Sequence, residues 1–559
     1  MKYTKIIAAI SALIMLTSCT AGGTGGAGES KAGNSSNQNA AGQTETSKEE
    51  AAEPDYSNLC MQRLSIRTVS QDPKVMDFVT VPIARFVSDI MITYTPGFKI
   101  PKEPYYEACT VTLRDPDGSI LVDGAQADVK VRGNWTTTYD KKPLRIRFNE
   151  KQSMGDLNDG NAFRNWVLLA EYKDASMLRN KAALSMAREI CESDGLYASD
   201  AEFVEVDING EYWGVYLLAE LQQVNENRVN INDPEKDYQG TDIGYFLEYD
   251  NNYYAEDESK TFVVDYADNA PLKSFNGDKT GKSITVIPKP DGVIIEAGDF
   301  IGMTIKSDIY SQKQRDFIAD YINNVYRIMY SASYENKAYV FNDDYTKITE
   351  SSDITPEEAV KKVVDLNSLA DMYIISELTC DADVAIASFF MDVDFSADGD
   401  KILHFEAPWD FDSAMGNKDR CADGTGFYAA SAVPDVNAND SLGIDAQYET
   451  INPWLAVLMP QSWYTDIIRE KWTKAYDDGV FERGLKLIEN DKAEYKTAFE
   501  NNYKKWGNIG KKLPSGEEVP YIDEIHSKAI KCKTEEEAAD YLHGWLENRV
   551  KFLNDYWHK

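Results

Sequence analysis

The chain has 559 residues, of which 43% are apolar and 11% aromatic, so it is long enough to bury a large core. Its formal net charge of −35 at pH 7 makes nucleic acid and anionic lipid poor partners, because both repel an acidic protein. The four histidines lack metal-ligand spacing and the cysteines form no CxxC pair, which argues against a zinc site.

The N-terminus carries a targeting pattern. Lys2 and Lys5 precede an apolar run ending at Leu16, which is too short to span a membrane, and Cys19 follows closely. This pattern resembles a bacterial lipobox, and the resemblance implies cleavage before Cys19, lipidation of its thiol and tethering to the outer face of the cell membrane. We therefore expect residues 1–18 to be a lipoprotein signal peptide. An ordinary secretory signal, or a cysteine that occurs there by chance, is the alternative.

Two stretches separate this signal from the main domain. Residues 19–57 are almost all small or polar, so they cannot offset the entropy of ordering, and we expect a flexible stalk. Residues 58–104 contain strand-forming runs and are predicted to be a small strand-rich segment. The main domain is predicted to span residues 105–559. For most of the six cysteines after Cys19 we favour buried free thiols over disulfides.

The main domain opens with a basic segment that has the pattern strand, polar loop, strand. The loop contains Gly133 and Asn134, and the flanking segments carry Arg132, Lys142 and Arg145. Cations beside such a loop can hold phosphate through charge-assisted hydrogen bonds and backbone N–H groups. From the residues alone, an exposed basic strand without a ligand is an equal alternative.

A helix and a hairpin are predicted next. Apolar residues recur every four positions from Leu178 to Ile190, which indicates one face of a helix. Asn209 and Gly210 then separate two strand-like runs, and this dipeptide is the strongest short hairpin signal. The second run ends at Glu220, where a hinge between two lobes would lie.

Two acidic clusters are the main indication of chemistry. The first contains Asp381 and Asp383 after an apolar helix-like run, and the second contains Asp410 and Asp412 after a strand-like run. A chain can bring two such clusters together on one cation. Phosphoryl transfer needs this arrangement, because one acid orients the attacking hydroxyl while another holds the magnesium that bridges the phosphates.

Taken in series, these blocks resemble the CotH kinase family over roughly residues 105–471. The blocks that carry the resemblance are Arg132-Gly133-Asn134 with Lys141, Lys142 and Arg145, and residues 166–170, 178–181, 209–218 and 408–412. The family is named for a spore-coat kinase. The resemblance implies an α+β, atypical protein-kinase-like bilobal fold, with a mixed-β N-lobe at about 105–222 and a mainly helical C-lobe at about 240–559.

The resemblance also implies an activity. It is the transfer of the ATP γ-phosphate to Ser or Thr hydroxyls of proteins outside the cytoplasm, with Mg²⁺ or Mn²⁺ as the cofactor. Asp383 matches the catalytic acid, and Asp410 matches the metal-binding acid. Nucleotide contacts are expected from Lys142 first, then from Arg145, Arg132, Asn134 and Glu220, and accessory metal contacts from Ser388 and Asp412.

Two departures from the family pattern keep other functions open. Position 381 is Asp where many members have Asn, and position 388 is Ser where kinases commonly use Asn. These departures favour, as an alternative, a catalytically weak pseudokinase-like surface protein that binds or scaffolds. A glycosidase with paired carboxylates is a further alternative. In every case we expect a monomer that binds no nucleic acid and meets the membrane only through its lipid anchor.

Overall fold

The N-terminal part of the fold is a closed barrel. In the computed structural model its strands are β1 (Gln62–Thr68), β2 (Glu107–Arg114), β3 (Ile120–Val131), β4 (Leu144–Gln152), β5 (Phe163–Leu169), β6 (Ala201–Ile208) and β7 (Glu211–Glu220). They close in the order β1–β2–β3–β4–β5–β7–β6. Every neighbouring pair is antiparallel except β1 and β6, which run parallel.

The barrel forms because its strands alternate apolar and polar residues. On β4, Leu144, Ile146 and Phe148 are buried in the barrel core, whereas Arg147 between them is exposed. Side chains of successive strand residues point to opposite faces, so one face fills the barrel and the other meets solvent or other elements.

The described residues are 60–69, 79, 106–133, 135–250, 253, 256–277, 279–287, 301–418, 423–434, 449–507, 509 and 528–559. Cys19, the predicted signal peptide, the predicted stalk and Asn134 lie outside them. The described residues belong to one unit, Leu59–Lys559. Within this part of the chain, Cys60, Cys109, Cys191, Cys380 and Cys532 are free thiols.

The remaining strands follow the barrel. They are β8 (Gly244–Asp250), β9 (Thr261–Phe262), β10 (Leu272–Asn276), β11 (Lys279–Ile284), β12 (Gly302–Ile305), β13 (Ala338–Phe341), β14 (Ile348–Ser351), β15 (Phe389–Asp394), β16 (His404–Phe405), β17 (Val433–Pro434) and β18 (Glu449–Thr450). Five of them form a second sheet in the order β16–β15–β8–β12–β9, and β10–β11, β13–β14 and β17–β18 form two-stranded sheets.

One helix lies between β5 and β6, and the others follow β12. They are α1 (Arg179–Glu192), α2 (Gln312–Tyr330), α3 (Pro356–Lys361), α4 (Leu366–Thr379), α5 (Pro453–Ala456), α6 (Ser462–Asp477), α7 (Val480–Glu494), α8 (Lys496–Trp506) and α9 (Glu535–Trp557). A further single turn spans Tyr266–Asn269. No helix among the described residues has the length and apolar character needed to cross a membrane.

Helix α4 positions the first acidic cluster. The Asp365 side chain caps its start by accepting the Asn367 and Ser368 N–H groups at 2.8 and 3.3 Å. All but one of its residues are buried, so the helix is fixed by packing on every side. It ends at Thr379, and the next residue, Cys380, has a φ of 47° that turns the chain toward Asp381.

The mixed α/β composition predicted from the sequence is confirmed. Closure of the barrel is a difference from the prediction. The segment 58–104 was expected to be separate, yet its strand β1 pairs with both β2 and β6. The β1–β6 pairing joins residues about 140 positions apart in the chain, and no local periodicity signals such a contact.

Candidate active site

The two predicted acidic clusters converge. The Met415 N–H donates to the Thr379 carbonyl oxygen at 2.7 Å, which ties the loop after Asp412 to the last residue of α4. In the first cluster, the Asp383 N–H donates to Asp381 Oδ1 at 3.0 Å. Asp381 is buried, whereas Asp383 is half-buried.

Asp410 has an unusual backbone. Its φ of 72° and ψ of 56° lie in the left-handed region, which Asp and Asn tolerate better than most residues. The next residue, Phe411, is buried, and its N–H donates to Asn180 Oδ1 at 2.8 Å. The conformation is therefore held from outside the loop, by the first turn of α1.

The carboxylates disfavour one another's charge. Burial, followed by the charges of Asp412 and Asp383, raises the pKa of Asp410 to about 7. Burial and then the Asp383 carboxylate raise the pKa of Asp381 well above its ordinary value. Burial also raises the pKa of Asp412, against the effect of the nearby Lys173 ammonium. A cation placed among these groups would relieve the repulsion.

Two basic side chains stand beside the acidic loop. The Arg132 guanidinium lies 5.8 Å from the ring centroid of Trp409, and its charge opposes the rise in the pKa of Asp410. Lys173 is buried, and its Nζ donates to Ser413 Oγ at 2.6 Å. The Ser413 hydroxyl lies 3.2 Å from Asp412 Oδ1.

The other predicted basic residues are engaged within the barrel region. Lys142 Nζ donates to the carbonyl oxygens of Thr137 and Tyr139, both at 2.8 Å, and burial lowers its pKa to about 8. Arg145 donates to Asn165 Oδ1 from Nη2 at 2.8 Å and from Nε at 3.1 Å. Their charged groups thus have hydrogen-bond partners within the protein.

Two further predicted residues have distinct surroundings. Glu220 is buried at the end of β7 and accepts from Arg228 at 2.9 Å, from Asn158 at 2.7 Å and from a backbone N–H at 3.0 Å. Its oxygens are therefore already satisfied. Ser388 is half-buried between Asp383 and β15, with a φ of 55°.

Three residues beside the acidic loop are not among the predicted site residues. Lys173 and Glu171 lie in the polar run directly after β5, and both are buried. Asn180 lies in the second position of α1, within a block that carries the family resemblance, but its type does not distinguish it from a solvent-facing helix residue. A run of charged residues directly after a buried strand was the available signal for the first two.

A buried ion pair fixes the chain beyond the acidic loop. Arg549 of α9 pairs with Glu377 of α4, and it also donates to the carbonyl oxygens of Gly424 and Gly426 at 3.3 and 2.6 Å. The Glu377 carboxylate also accepts hydrogen bonds from the backbone N–H groups of Tyr428, at 2.7 Å, and Ala429, at 3.0 Å. One pair thus joins two helices and the segment from 424 to 429.

The donor chemistry at the site fits a hard divalent cation held together with a nucleotide. Among the described residues, no three His, Cys, Asp or Glu side chains form a ready-made ligand set. Magnesium is usually bound through one or two carboxylates, with phosphate oxygens and water completing its octahedron. Asp410 and Asp412 can supply those carboxylates.

The residues of this site lie within the range that comparisons with known proteins cover. A family model described as CotH kinase protein matches residues 129–553, about three quarters of the chain. Inner spore coat protein H of Bacillus subtilis (strain 168) is 35% identical over 99 residues, which are 18% of this chain and 24% of that protein. The match thus spans about a quarter of the length of this curated relative.

Proposed function

The chain belongs to the CotH kinase family, and from this premise we propose that it transfers the γ-phosphate of ATP to Ser or Thr hydroxyls of proteins outside the cytoplasm. The observation that carries the proposal is the convergence of Asp381 and Asp383 with Asp410 and Asp412 beside Arg132 and a buried lysine. The fold proposed with it is bilobal and kinase-like, with the barrel as the N-lobe and the helical region as the C-lobe.

In the proposed mechanism, the Asp383 carboxylate accepts a hydrogen bond from the acceptor hydroxyl and orients it toward the γ-phosphorus. The oxygen–phosphorus bond forms as the bond from the γ-phosphorus to ADP breaks, and Asp383 takes the hydroxyl proton late in the transfer. Magnesium, when bound with ATP, neutralises charge on the β- and γ-phosphates. Asp410 and Asp412 would hold it, and Ser388 is an accessory candidate.

Arg132 is the first candidate for a phosphate contact, because it stands beside Asp410 and its guanidinium suits phosphate oxygens. Lys142 and Arg145 remain candidates, but each would exchange the hydrogen bonds it makes within the barrel region. Asn134 is proposed from the family resemblance alone. For Glu220, its three hydrogen bonds support a role in holding the end of β7 rather than a direct nucleotide contact.

The proposed location is outside the cytoplasm, with the chain tethered to the cell membrane through Cys19. The relative's name describes it as an inner spore coat protein, which supports a place at the cell or spore surface. The strongly acidic composition supports a protein acceptor over nucleic acid.

The test is transfer of labelled γ-phosphate to the protein itself and to a panel of surface proteins. We expect D383N and D410N to lose at least about 100-fold in rate, the usual effect of removing a general base or a metal ligand. D320N, which removes an exposed carboxylate on α2, is the matched control and should behave as wild type. Equal labelling by all four proteins would refute the assigned roles.

The pseudokinase-like alternative is favoured by one observation, the buried Asp381 with its raised pKa next to the proposed catalytic acid. It predicts nucleotide binding without transfer. A magnesium-dependent increase in the melting temperature with ATP, together with no labelling of any acceptor, would support it. Saturation at 100-fold excess over Kd stabilises by about 2.7 kcal/mol, which a thermal scan detects.

A further inference from the structure

We propose that Asn180 is a positioning residue that sets the direction of the Asp410 carboxylate by linking the Phe411 backbone to Glu171. The inference rests on the proposed kinase function, because it assigns Asp410 to the metal. Asn180 itself touches neither substrate nor metal in this scheme.

The contacts of Asn180 run in two directions. Its Oδ1 accepts the Phe411 N–H at 2.8 Å, and its Nδ2 donates to Glu171 Oε1 and Oε2 at 3.0 and 3.1 Å. Asn180 and Glu171 are both 5% exposed, so water does not compete for these bonds. The amide orientation follows from its partners, because the reverse orientation would set an NH₂ group against a backbone N–H.

The accepted N–H is the one that matters for Asp410. It belongs to the peptide that follows Asp410, whose φ of 72° is uncommon for a residue with a side chain. Such a conformation persists only where surrounding contacts impose it. Release of the Phe411 N–H would let this peptide rotate, and the Asp410 carboxylate would change direction with it.

The other end of the link is equally fixed. Glu171 lies just after the end of β5, separated from it by Ala170, and its own φ is 50°. The neighbouring Arg179 adds a parallel tie, because its Nε donates to the Met415 carbonyl oxygen at 3.4 Å. The first residues of α1 thus bond to both ends of the loop from 411 to 415. The bond from Asn180 is the one next to Asp410.

A reciprocal exchange of donor and acceptor tests the link. N180D keeps an acceptor for the Phe411 N–H but replaces the amide donor with a carboxylate that faces Glu171. In N180D/E171Q the donor is moved to position 171, so the bond between the two positions is restored with its polarity reversed. We expect N180D to lower kcat at least tenfold with little change in the KM for the protein acceptor, and the double variant to recover to within about threefold of wild type. E171Q alone completes the cycle.

N269D is the matched control. Asn269 is also a buried amide with both bonds used, since it donates to the Ile287 carbonyl oxygen at 3.0 Å and accepts the Ile287 N–H at 2.9 Å. It lies away from the acidic loop in the chain, so N269D should lose stability without losing kcat. A fall in kcat of the same size in N269D and N180D would overturn the inference.

Two readouts do not depend on turnover. The increase in melting temperature that magnesium and a non-hydrolysable ATP analogue give to wild type should shrink in N180D and return in N180D/E171Q. Hydrogen exchange at the Phe411 amide should be slow in wild type and at least tenfold faster in N180L, which removes the acceptor. An unprotected Phe411 amide in wild type would overturn the inference without any variant.

The outcomes separate the two proposals. If wild type transfers phosphate and N180D does so at the same rate, or the double variant folds but fails to recover, the inference about Asn180 is wrong and the kinase function stands. If wild type neither transfers phosphate nor responds to the nucleotide, the kinase function is wrong.

Discussion

Replacing Arg549 by Met is predicted to destabilise the protein by about 3–5 kcal/mol, the usual effect of removing one member of a buried ion pair. Arg549 is 0% exposed and Glu377 is 1% exposed. R549M keeps most of the apolar length of the side chain but removes the cation. The Glu377 carboxylate then keeps its hydrogen bonds from the N–H groups of Tyr428 and Ala429 but loses its cationic partner.

The expected change in melting temperature follows from the size of the folded unit. The entropy of unfolding is about 2.1 cal/mol/K per residue near the transition. For a unit of about 500 residues, each kcal/mol lost from the free energy of unfolding therefore lowers the melting temperature by about 1 °C. R549M should therefore melt about 3–5 °C below wild type. Adding E377Q removes the stranded charge and should recover about half of that loss.

The loss should also depend on pH. Burial raises the pKa of Glu377, and Arg549 opposes the rise, so the pKa climbs further when Arg549 is removed. A carboxyl group with a raised folded-state pKa contributes stability below its unfolded pKa and loses it as the pH rises through the folded value. R549M should therefore lie closer to wild type at pH 5 than at pH 8.

Scanning calorimetry at both pH values checks this prediction, with R483M as the control. Arg483 pairs with Glu189 on the surface, where the two side chains are 50% and 32% exposed, and such pairs contribute less than about 1 kcal/mol. Equal shifts for R549M and R483M, or a loss that does not shrink at pH 5, would refute the reasoning that burial sets the effect.

Three further predictions concern other parts of the fold. Against the opposing effect of burial, hydrogen bonding to Asp365 raises the pKa of His404 to about 10. H404Q should therefore lower the free energy of unfolding, measured by urea titration, by about 2 kcal/mol at pH 7. The difference from wild type should disappear above about pH 10, and a difference that persists there would contradict the assigned pKa. G214A should lower the urea midpoint of unfolding more than G210A. A Cβ atom at position 214 would lie 2.6 Å from a side chain of α8, whereas a Cβ atom at position 210 would have no neighbour within 4 Å. Equal midpoints for the two variants would contradict this prediction. In D412N, the magnesium concentration that gives half of the thermal stabilisation by nucleotide should rise at least about tenfold, because one charge-assisted contact to the metal is lost. An unchanged magnesium dependence would show that Asp412 does not contact the metal.

Local patterns predicted the local structure well. The Asn209-Gly210 pair does connect two antiparallel strands, β6 and β7, because the left-handed φ values of 53° and 85° that such a turn requires suit these two residues. The apolar repeat that starts at Leu178 does mark the buried face of α1. In both cases the signal and the structure lie within about ten residues of each other.

Contacts across long stretches of chain were not predictable in the same way. Asn180 and Phe411 are 231 residues apart, and Lys173 and Ser413 are 240 apart. An Asn at the start of a helix and a Lys after a strand are common on exposed surfaces, so their residue types carry no sign of a distant partner. Lys142 shows the converse, because a lysine in a basic loop suggests a ligand contact, whereas its Nζ is bonded to two carbonyl groups of that loop.

Closure of the barrel has a consequence for how the proposed protein acceptor would be recognised. Domains that bind an extended peptide by strand addition offer it the unpaired backbone of an edge strand. In the barrel, β1 pairs on both sides, with β2 and with β6, so the ring formed by the described strands has no edge at which a peptide backbone could add. A proposed acceptor that approaches the barrel would therefore be recognised through side chains and loops, and its specificity would reside in residue types rather than in an extended backbone.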